Sequence, residues 1–480
     1  MSIAKNTFYI TGAFIFQKIL TFFYIALVAR NLGPEQTGQY FLALSFTTIF
    51  SVFVDLGLTP VLIREVAKHR QKAGYYFRSI LTLKTISLFL ISILVVVLAN
   101  IFSYEKNVKN LIYIATLVMV FDSLSLTFYG ILRSYQNLKF ESLGIAFYQV
   151  FVVIFGGIGL LIFKSAYWII GVLALASFLN AFYSFFLAKT KAGIKFSFSW
   201  DKKFNQYLFG SAWPFFLAGI FNRIYTHVDV IFISKFLDNL YVGWYTVANK
   251  LIFALQFIPS AFVASVYPAM SNYHARSPEK LKLIFEKSLV YLMMISIPLC
   301  FGVLALSPEV ILTLYGEKFL NSVLPLRLLS VSLVFVFLYF PIGSLLNASN
   351  RQKANTANMG IAMLINVLLN LMLIPKINLA GAALASIFSQ ATMFFLGMFY
   401  ANQVISYNKK FLAIKFLQNF ITAGIMAEGI ILLKGTINWI FLVPLAVIFY
   451  FTFLYLIKGF ALNDIKEIFT SLGIKKYEQK

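Results

Sequence analysis

Lys18 and Arg223 are cations set deep inside long apolar stretches, 205 residues apart in a chain that echoes itself at that spacing. ARNLGPEQTGQYFLA at 29–43 slides onto SKFLDNLYVGWYTVA at 234–248, pairing Arg30 with Lys235, Leu32 with Leu237, Gly38 with Gly243, Tyr40 with Tyr245 and Ala43 with Ala248. The same slide lays Gln17-Lys18 on Asn222-Arg223 and Thr21 on Thr226. A cation at the centre of a bilayer costs roughly 2.5–3.5 kcal/mol on insertion scales. Two at matching places, each beside an amide, suit a shared, water-filled cavity built for an anion.

The stretch around Arg223 carries the densest polar cluster. At 100° per residue, Ala218, Gly219, Asn222, Arg223, Thr226, His227 and Asp229 share one half of a helical wheel, and Phe221, Ile224, Tyr225, Val228 and Ile231 take the other. A narrower stripe of Thr7, Thr11, Lys18 and Thr21 marks the first span. Lys250 falls near mid-depth of the eighth. Lys18, Arg223, Lys250, Asn222 and His227 are therefore the candidate anion-binding residues. Asp55 and Asp229 are candidates for ion coupling or for structural neutralisation: Asp55 has Arg64 or Lys18 as conceivable partners, and Asp122 is a second one for Lys18. Lys84 and Arg327, near span ends, read as side chains that snorkel to the interface.

The elements that must position these residues are membrane helices. Hydrophobic residues make up 60% of the 480-residue chain and charged ones 12%, which excludes an ordinary soluble protein. Apolar runs predict fourteen spans at 7–29, 39–63, 79–102, 110–132, 143–163, 167–188, 207–234, 241–269, 287–306, 323–346, 354–375, 378–401, 411–433 and 437–457. The first lacks a small-residue cleavage site and is expected to stay in the protein. The net charge of +23 invites a nucleic-acid reading, but its distribution argues against one. With the N-terminus inside, twenty-seven basic residues fall on the inner side and eight on the outer, placing both termini in the cytoplasm.

The expected fold is thus an all-α polytopic membrane protein with two six-helix lobes around a central cavity and two extra helices. The boundaries are 1–190 for the first lobe, 191–206 for a basic cytoplasmic linker, 207–402 for the second lobe, 403–458 for spans 13 and 14, and 459–480 for a cytoplasmic tail. A second echo supports the repeat: GILRSYQNLK at 130–139 resembles SLLNASNRQK at 344–353. The longest outer loop is expected at 307–322. Catalytic constellations, a phosphate-binding GxxxxGK[ST] motif and metal-ligand spacing of the three histidines are not found, so neither an enzyme nor a cofactor or metal is expected.

ARNLGPEQTGQYFLALS followed by DLGLTPVLIREVAK resembles the polysaccharide-exporter, or O-antigen flippase, branch of the multidrug/oligosaccharidyl-lipid/polysaccharide exporter superfamily. VGWYTVANKL, SVYPAMS, LYGEKF and NVLLNLMLIPKINLAGAALAS look like that family's second lobe. The resemblance covers spans 1–12 well and spans 13 and 14 loosely. It implies a cell-membrane flippase that carries a polyprenyl-pyrophosphate-linked oligosaccharide from the cytoplasmic to the outer leaflet by alternating access. It also implies membrane lipids and polysaccharide polymerase machinery as partners. The cavity would be lined by the first two helices of each lobe, where Lys18, Asp55, Arg223, His227, Asp229 and Lys250 fall. Three rivals stay open: a peptidoglycan-precursor flippase, a drug/cation antiporter, and a membrane glycosyltransferase or polymerase. Deep basic charge weighs against the antiporter, and short outer loops weigh against the glycosyltransferase.

Overall fold

The computed structural model describes residues 3–194 and 196–460, which are helical throughout their membrane-length segments. The expected tail lies almost wholly outside the described residues, as does the side chain of Thr7. The chain divides into two compact units, Met1–Thr246 and Val247–Lys480.

The first unit contains α1 (Ile3–Asp55), α2 (Leu58–Lys68), α3 (Ala73–Ile101), α4 (Lys106–Ser134), α5 (Lys139–Phe163), α6 (Ala166–Lys191), α7 (Lys202–Phe236) and the start of α8 (Asn239–Leu255). There α1 packs against α4, α5 and α7, and α4 against α6. The second unit contains α9 (Phe257–Arg276), α10 (Pro278–Tyr315), α11 (Val323–Ala348), α12 (Gln352–Asn402), α13 (Lys409–Leu433) and α14 (Trp439–Leu456). There α11 packs on α10 and α12, and α13 lies against α10 and α14. Tyr450 of α14 donates to Asn419 of α13 at 2.6 Å, so these last helices are joined by a buried polar contact as well as by apolar packing.

Twelve segments of the described chain are long and apolar enough to cross a membrane, two fewer than the fourteen expected. Two of the twelve are double. Tyr9–Asp55 has 47 residues and Gln352–Asn402 has 51; at about 1.5 Å per residue each would run roughly 70–75 Å, more than twice a hydrocarbon core of about 30 Å. Each is broken inside. Gly33 takes φ 74, ψ 176, a conformation open to glycine, and Pro34 then starts a new helix where its missing N–H costs nothing. Ile377 and Asn378 break α12 just after Pro375. Dividing both restores fourteen crossings, and the chain is a multi-pass membrane protein.

Two expectations need correction. The second span does not run unbroken over 39–63: α1 stops at Asp55, and Leu56 and Gly57 both have positive φ before α2 begins. The apolar residues of α2 recur at helical spacing and are buried in a core with Phe77, Ile80, Phe128 and Leu208, so α2 is a packing helix. Likewise 307–322 is not a loop. α10 continues through Pro308 to Tyr315, and a 3₁₀ turn follows at Glu317–Ser322.

Both sequence echoes have a structural counterpart. In the second, Gln136 and Asn350 occupy equivalent places and both take left-handed φ, 55° and 58°. The bond from the Asn137 amide to the Leu132 carbonyl is repeated from Arg351 to Leu346. In the first echo, Gly38 and Gly243 meet at a crossing of two backbones within the first unit. A Cβ on Gly38 would lie 1.8 Å from the Asn239 carbonyl oxygen, and one on Gly243 would lie 1.9 Å from that of Pro34. The 205-residue slide carries each contact onto the other, as a local two-fold axis requires.

The linker from 191 to 206 is stitched to the first unit. Phe196 packs among Phe77, Phe128 and Phe185, the Ser199 amide donates to Thr82 at 3.0 Å, and Tyr75 donates to Asp201 at 2.8 Å. Asp201 also caps α7 by accepting from the Phe204 amide, and these two bonds hold its carboxyl below the usual range. At the other end of α7, Lys235 lies 3.9 Å from the centroid of Tyr104 and donates to the Phe102 carbonyl.

Gly38→Ala and Gly243→Ala each force a methyl into a carbonyl that cannot retreat, an overpacking cost of about 1–3 kcal/mol or more. Abundance and Tm in detergent are expected to fall for both. Gly12→Ala and Gly210→Ala, where nothing lies within 4 Å, are the controls and are expected to leave both quantities unchanged.

Candidate functional site

The site is built along α7, where it faces the second pass of α1. Ala212, Phe216, Gly219 and Arg223 recur at intervals of four, three and four residues and form one stripe of α7. Against it run residues 52–57. A Cβ on Gly57 would meet the Ala212 carbonyl oxygen at 2.6 Å and the Phe216 amide at 2.7 Å; one on Gly219 would meet Val52 at 2.7 Å. The Phe53 and Phe216 rings pack edge to face. The stripe therefore needs small residues where the helices touch, and it carries Arg223 one turn further along. Arg223 is exposed on the isolated chain.

Further along the antiparallel pair, His227 Nδ1 lies 3.3 Å from Ser45 Oγ. Asp229, buried to 5% exposure, accepts from the Tyr245 hydroxyl at 2.7 Å. Asn222 is exposed, and its carbonyl accepts from Thr226 at 2.6 Å. The polar half of the α7 wheel is thus divided. Asn222 and Arg223 are exposed, whereas Gly219, His227 and Asp229 are spent on contacts within the unit.

The other sequence candidates fall elsewhere. Lys18 is exposed on the first pass of α1, one turn before Thr21, which donates to Gln149 of α5 at 3.0 Å. Lys250 is half-buried in α8 and belongs to the second unit.

Asp55 is bound differently from every partner considered above. Its carboxylate pairs with Lys84 at 2.8 Å and accepts from Thr59, whereas Arg64 pairs with its own neighbour Glu65. Lys84 does not snorkel. It is fully buried, and its ammonium also donates to Thr59 Oγ1 at 3.2 Å, the Ser123 carbonyl at 3.2 Å and Thr127 Oγ1 at 2.5 Å. Those acceptors satisfy the three N–H bonds of an ammonium, the condition for burying it in a membrane segment. The signal available in the sequence was charge balance: an acid and a base at similar depth in consecutive spans.

Chemically the site can neutralise and orient an anion through a guanidinium, whose planar fork gives two parallel hydrogen bonds to one phosphate or carboxylate. Removing the donor to the buried Asp229 tests the supporting contacts: Tyr245→Phe is expected to cost roughly 1.5–3 kcal/mol, the range for a hydrogen bond to a charged group, read as a lowered Tm.

Comparison with known proteins agrees with this architecture. Residues 3–274 match the family described as polysaccharide biosynthesis protein, and residues 214–372 match the MatE family. The chain is 24% identical over 429 residues to a probable low-salt glycan biosynthesis flippase, Agl15, of Haloferax volcanii, covering 89% of each chain. It is 23% identical to the capsular polysaccharide biosynthesis protein CapF of Staphylococcus aureus, covering 80% of this chain and 96% of that one. Among solved structures, an inward closed conformation of the lipid II flippase MurJ superposes with a TM-score of 0.78 at 19% identity, over 93% of this chain and 98% of that one. An inward-facing multidrug resistance MATE transporter superposes at 0.61 and 14% identity, over 81% and 95%. The chain belongs to the polysaccharide biosynthesis protein family, within the multidrug/oligosaccharidyl-lipid/polysaccharide exporter superfamily.

Proposed function

We propose that this protein is a flippase that moves a polyprenyl-pyrophosphate-linked oligosaccharide from the cytoplasmic to the outer leaflet, by alternating access of two six-span lobes, 1–190 and 207–402. The observation that carries the reading is Arg223: a guanidinium held open on a membrane-crossing helix, on the stripe that packs against the second pass of α1. A diphosphate cannot cross hydrocarbon without a substitute for its hydration shell, and fixed cations supply one. Lys18, at the repeat-related position, is the second cation. Lys250 is a separate candidate of the same charge, and Asn222 and His227 are polar candidates beside Arg223. Membrane lipids surround the protein, and the translocated glycan passes to polymerising machinery for surface polysaccharide. The low-identity relatives of glycan-flippase and capsular-polysaccharide type support this reading over the rivals. The acidic groups that a drug/cation antiporter would use are already engaged, Asp55 by Lys84 and Asp229 by Tyr245.

In proteoliposomes given a short-chain polyprenyl-diphosphate sugar, Arg223→Ala is expected to abolish translocation at normal abundance. Arg223→Lys, which keeps the charge and loses the fork, is expected to retain part of it. Full translocation by a well-expressed Lys18→Ala/Arg223→Ala double variant would eliminate the cationic mechanism.

The orientation, with both termini and the 191–206 linker in the cytoplasm, follows from the excess of Lys and Arg on that side. Ser197 is the reporter of choice, because it is exposed while the Ser199 amide is bonded. In a Cys300→Ser background, Ser197→Cys is expected to resist an impermeant reagent added outside intact cells and to react once the membrane is opened; labelling from outside reverses the topology.

A further inference from the structure

We infer that the linker between α6 and α7 is a lipid-binding anchor: Phe198 and Trp200 enter the edge of the bilayer, and Lys202 and Lys203 hold anionic headgroups beside them. This site lies at the start of α7, remote from Arg223, and is independent of what Arg223 binds.

Three contacts with α3 make the linker dip and return. Phe196 packs edge to face on Phe77. The Ser199 amide then donates to Thr82, further into α3, at 3.0 Å. Asp201 next accepts from the Tyr75 hydroxyl at 2.8 Å, back near the start of that helix. At about 1.5 Å rise per residue, the chain advances roughly 7 Å along α3 and retreats about 10 Å. Phe198 and Trp200 flank the deepest point. Phe196 and the Ser199 amide are engaged by the first unit, whereas Phe198 and Trp200 are left 69% and 66% exposed.

The depth of that point identifies what covers it. Thr82 lies one turn before Ile86, Phe89, Leu90 and Ile93, exposed apolar residues of a membrane-crossing helix that can only face hydrocarbon. The apex of the dip is therefore about 6 Å from the start of the lipid-facing run. Aromatic side chains gather at such a boundary, with rings toward the acyl chains and the indole N–H in the polar layer. Irregular backbone at this depth needs its polar groups bonded, and the Ser199 amide has its partner in Thr82. On the returning limb Lys202 and Lys203 are exposed, and Asp201 offsets one of their charges, which leaves 196–203 net basic. On the orientation proposed above they meet the cytoplasmic leaflet, where anionic lipids attract basic side chains. Asp201 ends the dip and also caps α7, so the anchor fixes the depth at which α7 starts.

The test uses the full chain in liposomes, with a bimane fluorophore on Phe198→Cys in a Cys300→Ser background. Both leaflets have the same lipids, so the result does not depend on which way the protein inserts. Brominated phosphatidylcholine is expected to quench the bimane, more strongly with bromines near the headgroup than near the chain end, and aqueous iodide is expected to quench it weakly. Full quenching by iodide with none by bromolipid overturns the anchor and leaves the aromatic pair to a soluble protein partner. Trp200→Cys repeats the measurement across the apex, and a label there that only iodide reaches overturns the anchor as well. For the headgroups, dilute brominated phosphatidylglycerol in a phosphatidylcholine bilayer is expected to quench about fivefold more than equally dilute brominated phosphatidylcholine, the scale of one basic residue at an anionic surface. Equal quenching by the two lipids overturns the anionic preference. Lys202→Gln/Lys203→Gln is expected to erase that preference and keep the depth profile; a preference that survives both substitutions overturns the role of these lysines.

Discussion

Two backbones that touch without side chains between them set the geometry of the first unit. Gly38 and Gly243 let the second pass of α1 and the start of α8 approach until carbonyl oxygens occupy the space a Cβ would fill. From that crossing the second pass of α1 runs back along α7, and each contact down the pair depends on its register: Ser45 on His227, Val52 on Gly219, Phe53 on Phe216, Gly57 on Ala212. Small residues recur on both sides because membrane helices gain little by excluding water from each other and must gain it by close packing. Arg223 inherits its place from this register. A shift of one residue along α7 would turn the guanidinium by about 100° around the helix axis.

Much of this was legible in the residues. Apolar runs located the crossings, and the echo at 29–43 and 234–248 contained the glycines that prove to meet. The weaker echo at 130–139 and 344–353 marked a left-handed turn with the same hydrogen bond in both copies. In each case the requirement was local: a hydrophobic length, a missing Cβ, a positive φ. Such demands leave their mark at the position that bears them.

What was not legible depended on neighbours distant in sequence. A lysine five residues into an apolar run reads equally as a snorkelling side chain or a buried one, and only the convergence of Asp55, Thr59, Ser123 and Thr127 decides for Lys84. The break after Asp55 was masked because apolar residues continue through Leu56, Leu58 and Val61, so hydropathy sees one span where the backbone makes a turn and a second helix. The sequence set the polar residues of α7 on one half of the wheel. Its division into exposed and engaged groups required the partners Ser45 and Tyr245, which belong to other helices.

The stitched linker has a consequence for the order in which the protein is made. Phe196, Ser199 and Asp201 tie the linker to α3, and α7 then lies along α1 and α2. The first unit is therefore not closed when its sixth helix has left the ribosome; it waits for the residues up to Thr246. At about 5–20 residues per second that wait is roughly 3–11 s. During it the small-residue face of α1, the ion pair at its end and the apolar side of α2 have no α7 to cover them. A nascent chain in that interval is a natural client for membrane insertases and for the lipids next to it. The buried Lys84 and its partner Asp55, both satisfied by groups that precede residue 130, need no later segment to be at rest.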